Sequence, residues 1–238
     1  MKILILGAAG YVGTILRPAF DAEHEAFYSD MNPIPGAENR SLVCDIEDTE
    51  RLAPHFAGVD SVVYLPYGRA KFRDTHDVNL GFNVNVRAVY KCAQLALQHA
   101  VPSFVYASTL SVFNNFFKDP PLPEDRTPDA GNVYGITKWL GEQVCQILSR
   151  NQPKTTFLML RLILPRQESE WTAAEKFDPS REKNLCCLGP NDTRRLFLAA
   201  VKVRQPGFHI VHASGDLTGK IIPNTTVKSL LGWEPRNE

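Results

Sequence analysis

The chain has 238 residues, 44% hydrophobic and 22% charged, which is the composition and size of an ordinary globular domain with a full core. Its 26 Lys and Arg balance 26 Asp and Glu, and no basic stripe runs through it, so nothing favours nucleic acid. No segment approaches the ~18 apolar residues of a spanning helix, and MKILILGAAG is too short an apolar run for a signal peptide, so no membrane partner is expected.

Short apolar runs alternate with helical stretches along the chain. Strands are predicted at Ile3–Leu6, Ala26–Ser29, Ser41–Cys44, Val59–Leu65 and Phe104–Ala107. Helices start near Tyr11, Thr49 and His76; the third carries Val84, Ala88, Cys92, Leu95 and Leu97 between Val78 and His99. A loop rich in Pro, Asp and Gly covers Phe116 to Val133. A helix over Tyr134–Ser149 and a strand over Thr156–Leu160 follow. Pro165 to Pro190 reads as loop with short helical turns. A helix at Asp192–Val203, a strand at Phe208–Val211 and a helix at Thr225–Leu231, stopped by Gly232, complete the chain.

Strands that are apolar throughout belong in a sheet covered on both faces. The expected class is therefore α/β: a doubly wound, mostly parallel Rossmann sheet flanked by helices. Residues 1–238 form one domain in this reading, with 165–190 and 204–238 contributing a small C-terminal substrate-binding cap.

Gly7-x-x-Gly10-x-x-Gly13 lies between the first strand and the first helix. Gly7 can end the strand in a tight turn, Gly10 can admit a pyrophosphate, and Gly13 can let helix pack on sheet. Tyr11 and Val12 then begin the helix, whose unpaired N–H groups suit phosphate. Asp30, closing the second strand, can accept from both adenosine ribose hydroxyls and would repel a 2′-phosphate, so the expected cofactor is NAD. Asp45, with Ile46 beside it, is placed to accept from the adenine amino group or to cap a helix. Leu65, Pro66 and Tyr67 wall the cofactor cleft.

Tyr134 and Lys138 lie four apart on one helix and face the same way. A nearby ammonium favours a phenolate, so this pair can move a proton while the cofactor moves a hydride. Thr109 can donate to the same substrate oxygen, with Ser108 as a neighbouring contact and Ser111 close by. Asn85 can position a water or a backbone segment that links Lys138 to solvent. Arg161 or Arg166 can pair with a substrate carboxylate, although Arg161 can equally close a structural ion pair. Trp171 is a candidate sugar-facing aromatic or cap-packing residue. Cys44, Cys92, Cys145, Cys186 and Cys187 show no metal-ligand spacing, so no metal is expected, and their odd number suits a reducing, cytoplasmic compartment.

With Asp45, Asn85, YAST-LSVF at 106–113, YGITK at 134–138, Leu158-Met-Leu-Arg161 and LLGWEP at 230–235, the glycine pattern resembles the extended short-chain dehydrogenase/reductase superfamily, the NAD-dependent epimerase/dehydratase family. The resemblance implies Thr109, Tyr134 and Lys138 as catalytic hydroxyl, general base and lysine, with Asn85 completing a proton relay. Within that branch the compact length resembles uronate dehydrogenase-like members, although those follow the paired hydroxyls with Asn-His where this chain has Leu110-Ser111. The expected function is NAD-dependent oxidation of a sugar, uronate or related polyol hydroxyl. The alternatives are an epimerase that oxidises transiently, and a non-catalytic NAD-sensing protein. A homodimer through the helices at 78–99 and 134–149 is expected, since the resembling families pair through these elements.

Overall fold

The computed structural model describes residues 1–68, 78–115, 117–151, 154–172 and 186–238. Seven strands form one parallel sheet in the order β3-β2-β1-β4-β5-β6-β7. They are β1 Lys2–Leu6, β2 Glu25–Asp30, β3 Ser41–Val43, β4 Ser61–Tyr64, β5 Ser103–Thr109, β6 Thr156–Leu162 and β7 Gly207–Ala213. All six pairings are parallel, so the expected "mostly parallel" sheet is parallel throughout. The order reverses between β1 and β4, which opens a crevice at the carboxyl ends of these two strands.

Residues along each strand alternate between two cores. Ile3 and Ile5 face one side with Leu16, Phe20, Leu196 and Phe197. Leu4 and Leu6 face the other with Val89, Cys92, Cys145 and Phe104. Each such aliphatic or aromatic side chain contributes about 1.5–3 kcal/mol by leaving water. Helices α1 (Tyr11–Glu23) and α7 (Pro190–Ala200) cover the first face, and α4 (Ala88–Gln98) and α5 (Val133–Asn151) the second. Among the described residues the remaining α-helices are the short α2 (Thr49–Leu52), α3 (Val78–Phe82), α6 (Glu168–Thr172) and α8 (Thr225–Leu231). A third, smaller apolar cluster, with Leu110, Val112, Phe113, Leu122, Ile163 and Ile222, lies under the loops beyond β5, β6 and β7.

Two of the expected helices differ in the structure. The tract expected as one helix from Val78 to His99 is broken by a π turn at Asn83–Arg87, and the Tyr64 hydroxyl donates to Val84 O at 2.6 Å there. The predicted start of that helix near His76 lies outside the described residues. The helix expected at Asp192 begins at Pro190, because proline at the first position lacks only an N–H that would be unpaired anyway. The stop at Gly232 is as expected: Gly232 has φ +65° and its N–H bonds Lys228 O. Trp233 then turns inward and its indole N–H donates to Asp192 O at 3.1 Å.

Candidate active site

The glycine turn joins β1 to α1. Gly7 has φ +79°, and a Cβ there would stand 2.8 Å from Pro66 N. Its N–H bonds Ser29 O at 2.7 Å, which ties the turn to the end of β2. A Cβ on Gly13 would stand 2.4 Å from Ala8 O, so glycine is what lets α1 lie against the turn. Gly10 is the helix N-cap and carries no side-chain cap, leaving first-turn N–H groups for a ligand. These observations fit a dinucleotide pyrophosphate. Val12 packs beside the first core, whereas Tyr11 is exposed.

Asp30 accepts from Ala9 N–H at 3.0 Å on one oxygen, and from Asn32 N (2.9 Å) and Nδ2 (3.2 Å) on the other. Oδ1 is thereby filled, whereas Oδ2 keeps one lone pair with room for a ribose hydroxyl. Asp45 is exposed after β3 and accepts from Glu47 N–H at 2.9 Å. The helix cap it was offered as an alternative belongs to Asp48, which accepts from Arg51 N–H at 3.3 Å. Ile46 packs against the second core.

Pro66 joins the two halves of the crevice. Its nitrogen faces Gly7, and its carbonyl accepts from Lys138 Nζ at 3.3 Å. Leu65 is buried before it, and Tyr67 after it is exposed, with its ring 4.9 Å from that of Tyr134. Lys138 is 2% exposed, donates also to Ala107 O at 2.9 Å and sits 4.7 Å from the centre of the Tyr106 ring. Burial pushes its pKa down to about 7, against the negative charge of Glu142.

Thr109 ends β5. Its hydroxyl oxygen accepts from Ser111 N–H at 3.1 Å, starting the short helical turn Leu110–Val112. A Cβ on Gly135 would stand 2.1 Å from Ser111 O, so the first turn of α5, with Tyr134, is pressed on the turn that follows Thr109. Asn85 is fully buried in the π turn: its Oδ1 accepts from Gly68 N–H at 3.1 Å and its Nδ2 donates to Thr137 at 3.0 Å. It thereby clamps α5 to the segment after β4.

Two residues expected near substrate are engaged elsewhere. Arg161 is 2% exposed and makes a two-pronged ion pair with Glu142, Nε to Oε1 at 2.9 Å and Nη2 to Oε2 at 2.8 Å, which is the structural alternative of the expectation. Ser108 is buried and donates to Glu142 Oε1 at 2.5 Å. Arg166 is partly exposed and only 4.0 Å from Glu170. Trp171 lies against the backbone of Gly189, where a Cβ would be 3.1 Å from the indole. Sequence reading missed Glu142, although Tyr134, Lys138 and Glu142 repeat at helical spacing. It also missed His212, Gln167 and Glu170, for which no local pattern exists.

A dinucleotide-type turn and a Tyr-x-x-x-Lys helix meeting at the switch point of a parallel sheet define a nucleotide-binding protein of the doubly wound class. Residues 1–162 match the family model described as RmlD substrate binding domain. The chain belongs to this family, within the extended short-chain dehydrogenase/reductases. It is 26% identical to L-arabinose 1-dehydrogenase (NAD(P)(+)) of Haloferax volcanii over 99% of this chain and 96% of that one. It is 27% identical to N-acetyl-alpha-D-glucosaminyl-diphospho-ditrans,octacis-undecaprenol 4-epimerase of Escherichia coli O157:H7, over 60% of this chain and 42% of that enzyme. The crystal structure of uronate dehydrogenase from Agrobacterium tumefaciens shares its fold, with a TM-score of 0.78, 20% identity and coverage of 99% and 84%. Among the described residues no helix is long and apolar enough to cross a membrane, and no group of His, Cys, Asp or Glu could hold a metal.

Proposed function

We propose that this chain is an NAD-dependent dehydrogenase that oxidises a hydroxyl of a small carbohydrate: an aldose, a uronate or a related polyol. The observation that carries this reading is Pro66, which puts the glycine turn and Lys138 on one crevice. Full-length alignment with an arabinose dehydrogenase supports a free sugar over a larger nucleotide-sugar. NAD supplies the hydride acceptor when bound, held by the Gly10–Tyr11 helix start, Asp30 and the Leu65–Tyr67 wall.

The chain's own residues handle the proton. Thr109 Oγ1 already accepts from Ser111 N–H, so its hydroxyl proton is free to point at the substrate oxygen. Tyr134 takes the proton of that hydroxyl as general base. As an ammonium Lys138 has three donors, two of them used by Ala107 and Pro66, and the third favours the phenolate of Tyr134. Near neutral pH it can also give up its proton, and it stands as the next carrier behind Tyr134. Asn85 holds the backbone on which that path rests. With Arg161 paired to Glu142, the role toward a substrate carboxylate falls to Arg166, the other arginine expected there, with Trp171 as a sugar-facing surface of the cap.

A panel of aldoses, including L-arabinose, with uronates and polyols tests the reading: NAD should be reduced with at least one. Tyr134→Phe should cut turnover by ~10²–10⁴-fold with NAD affinity retained. Absence of NADH with every compound would sink the dehydrogenase. Interconversion of sugars without net NADH, on protein purified with bound cofactor, would instead establish an epimerase. NAD binding with neither reaction would leave a sensor.

Two copies are proposed to pair through α4 and α5, which carry the exposed Tyr90 and Ile147. Sedimentation at monomer mass would refute that pairing. The five cysteines are buried thiols, which suits the cytoplasm.

A further inference from the structure

Ser108, Arg161 and His212 stand side by side across β5, β6 and β7, since Ser108 pairs in register with Arg161 and Arg161 with His212. Glu142 lies over this row from α5. Its Oε1 accepts from Ser108 at 2.5 Å and from Arg161 Nε at 2.9 Å, and its Oε2 accepts from Arg161 Nη2 at 2.8 Å. Arg161 Nη1 reaches Glu124 O and His212 Nε2, both at 3.3 Å. His212 Nδ1 then donates to Leu122 O at 3.2 Å, on the loop between β5 and α5. Burial and the Arg161 charge push His212 down to about 3, so it stays neutral with this arrangement of donor and acceptor. The four side chains are at most 4% exposed.

A buried ion pair is seldom a source of net stability, because apolar residues of similar volume often serve as well. What it supplies is geometry. A flat fork of guanidinium on carboxylate accepts one orientation, whereas an apolar helix face slides on a sheet. The places tied here matter to the proposed reaction. Glu142 is one turn beyond Lys138 and two beyond Tyr134, and Ser108 immediately precedes Thr109.

We propose that Glu142, locked by Arg161 and bonded to Ser108, is a positioning residue that fixes α5 along β5 so that Tyr134 and Thr109 converge on one substrate oxygen. This rests on the dehydrogenase reading. It assigns Ser108 and Arg161 to alignment of the site rather than to the substrate itself.

The test uses Glu142→Gln/Arg161→Met, which removes both charges together, beside Ser108→Ala, which removes one hydrogen bond and leaves the ion pair. Glu142→Gln alone strands a buried guanidinium and serves as the destabilised reference. In crystal structures with NAD, the separation of Thr109 Oγ1 from Tyr134 Oη should shift by ~1 Å in the double variant, a displacement of the kind that lowers rates by ~10²-fold. On the best sugar of the panel, kcat should fall ~10–100-fold in the double variant and less in Ser108→Ala, with KM and NAD affinity within about threefold. The double variant should also melt well above Glu142→Gln without regaining turnover. Recovery of kcat in step with melting temperature would show a purely structural pair, and an unchanged Thr109–Tyr134 separation would overturn the proposal. Should the double variant not fold, Ser108→Ala decides through the same two readouts. Should no sugar react, the dehydrogenase reading falls alone and the crystallographic measurement still decides the positioning role.

Discussion

The two halves of the crevice are built by opposite means. Around the glycine turn the protein works by leaving side chains out: Gly7 and Gly13 allow backbone to touch backbone, and Gly10 leaves helix N–H groups uncapped. On the β5–β6–β7 side it works by putting charges in: Glu142, Arg161 and Lys138 are all buried. In the proposed reaction the first half would admit a large anion, for which open backbone donors suffice. The second would hold a phenol, an amine and a hydroxyl in register, which apolar packing alone does not enforce. Substitutions should therefore fail differently in the two halves, by displacing backbone in one and by unbalancing charge in the other.

The largest expected effect on fold and cofactor binding together belongs to Gly13→Ala. The added methyl meets the backbone of Ala8 at 2.4–2.6 Å, where no side chain can rotate away. Pushing α1 off the turn should lower stability by about 1–3 kcal/mol and weaken NAD binding by at least ~10-fold, because the phosphate-facing N–H groups move with the helix. Urea unfolding and an NAD fluorescence titration measure the two. A variant with normal affinity would mean that the turn does not depend on close backbone contact.

This division also explains what the sequence revealed. Glycine spacing, strand runs and Asp30 are local signals, and each of the seven expected strands is present in the sheet. Tyr134 and Lys138 were legible because four residues make one helical turn. The bonds that organise the chemical half span 34 residues from Ser108 to Glu142, 51 from Arg161 to His212 and 90 from His212 to Leu122. No spacing rule reaches that far, so Arg161 remained open between substrate and ion pair until the register of β6 was known. The π turn escaped for a related reason: Tyr64 bonds its backbone from another element, and Asn85 within it bonds Gly68 and Thr137, all distant in sequence.

Lys138→Met probes the charged half. Its folded pKa of about 7 lies below the ordinary 10.5. Between these values the unfolded chain holds the extra proton, so stability rises with pH; below about 7 both states are protonated and the full cost of the buried ammonium remains. The stability of the unsubstituted chain relative to Lys138→Met should therefore climb by about 2–3 kcal/mol from pH 7 to pH 9.5. Urea unfolding at the two pH values reads this, and a flat difference would place the lysine in a far wetter setting than its burial indicates.

Asp30→Asn returns to the cofactor half with a smaller change. Asn keeps the size and one acceptor but loses the charge that would strengthen a bond to a ribose hydroxyl, so NAD affinity should drop by about 1–2 kcal/mol. The same change removes repulsion toward a 2′-phosphate, and NADP should lose less or gain. Titrations with both cofactors decide it. Equal losses would show that Asp30 only braces the turn through Ala9 and Asn32.

Tyr11→Phe should have the smallest effect, at a place where α6 meets the start of α1. Tyr11 follows the N-cap of α1, and its hydroxyl is held by the Glu170 carboxylate and accepts from Gln167 N–H at 3.3 Å. Burial and the Glu170 bond push that hydroxyl up to about 12, so it remains a donor throughout the working range. Gln167 Nε2 also bonds Thr14 at 3.2 Å, and Arg194 reaches Glu168, so α6 is moored to α1 and α7 by contacts other than Tyr11. The change removes both hydroxyl bonds, but Gln167 N–H keeps Glu170 as acceptor at 3.3 Å, so the cost should be about 0.5–1 kcal/mol. Because α6 is moored beside the helix start that would hold the pyrophosphate, NADH should leave a few-fold faster while equilibrium stability barely changes. Stopped-flow release of NADH measures this directly, and release at the unsubstituted rate would mean that α6 shields the sugar side of the crevice without guarding the cofactor.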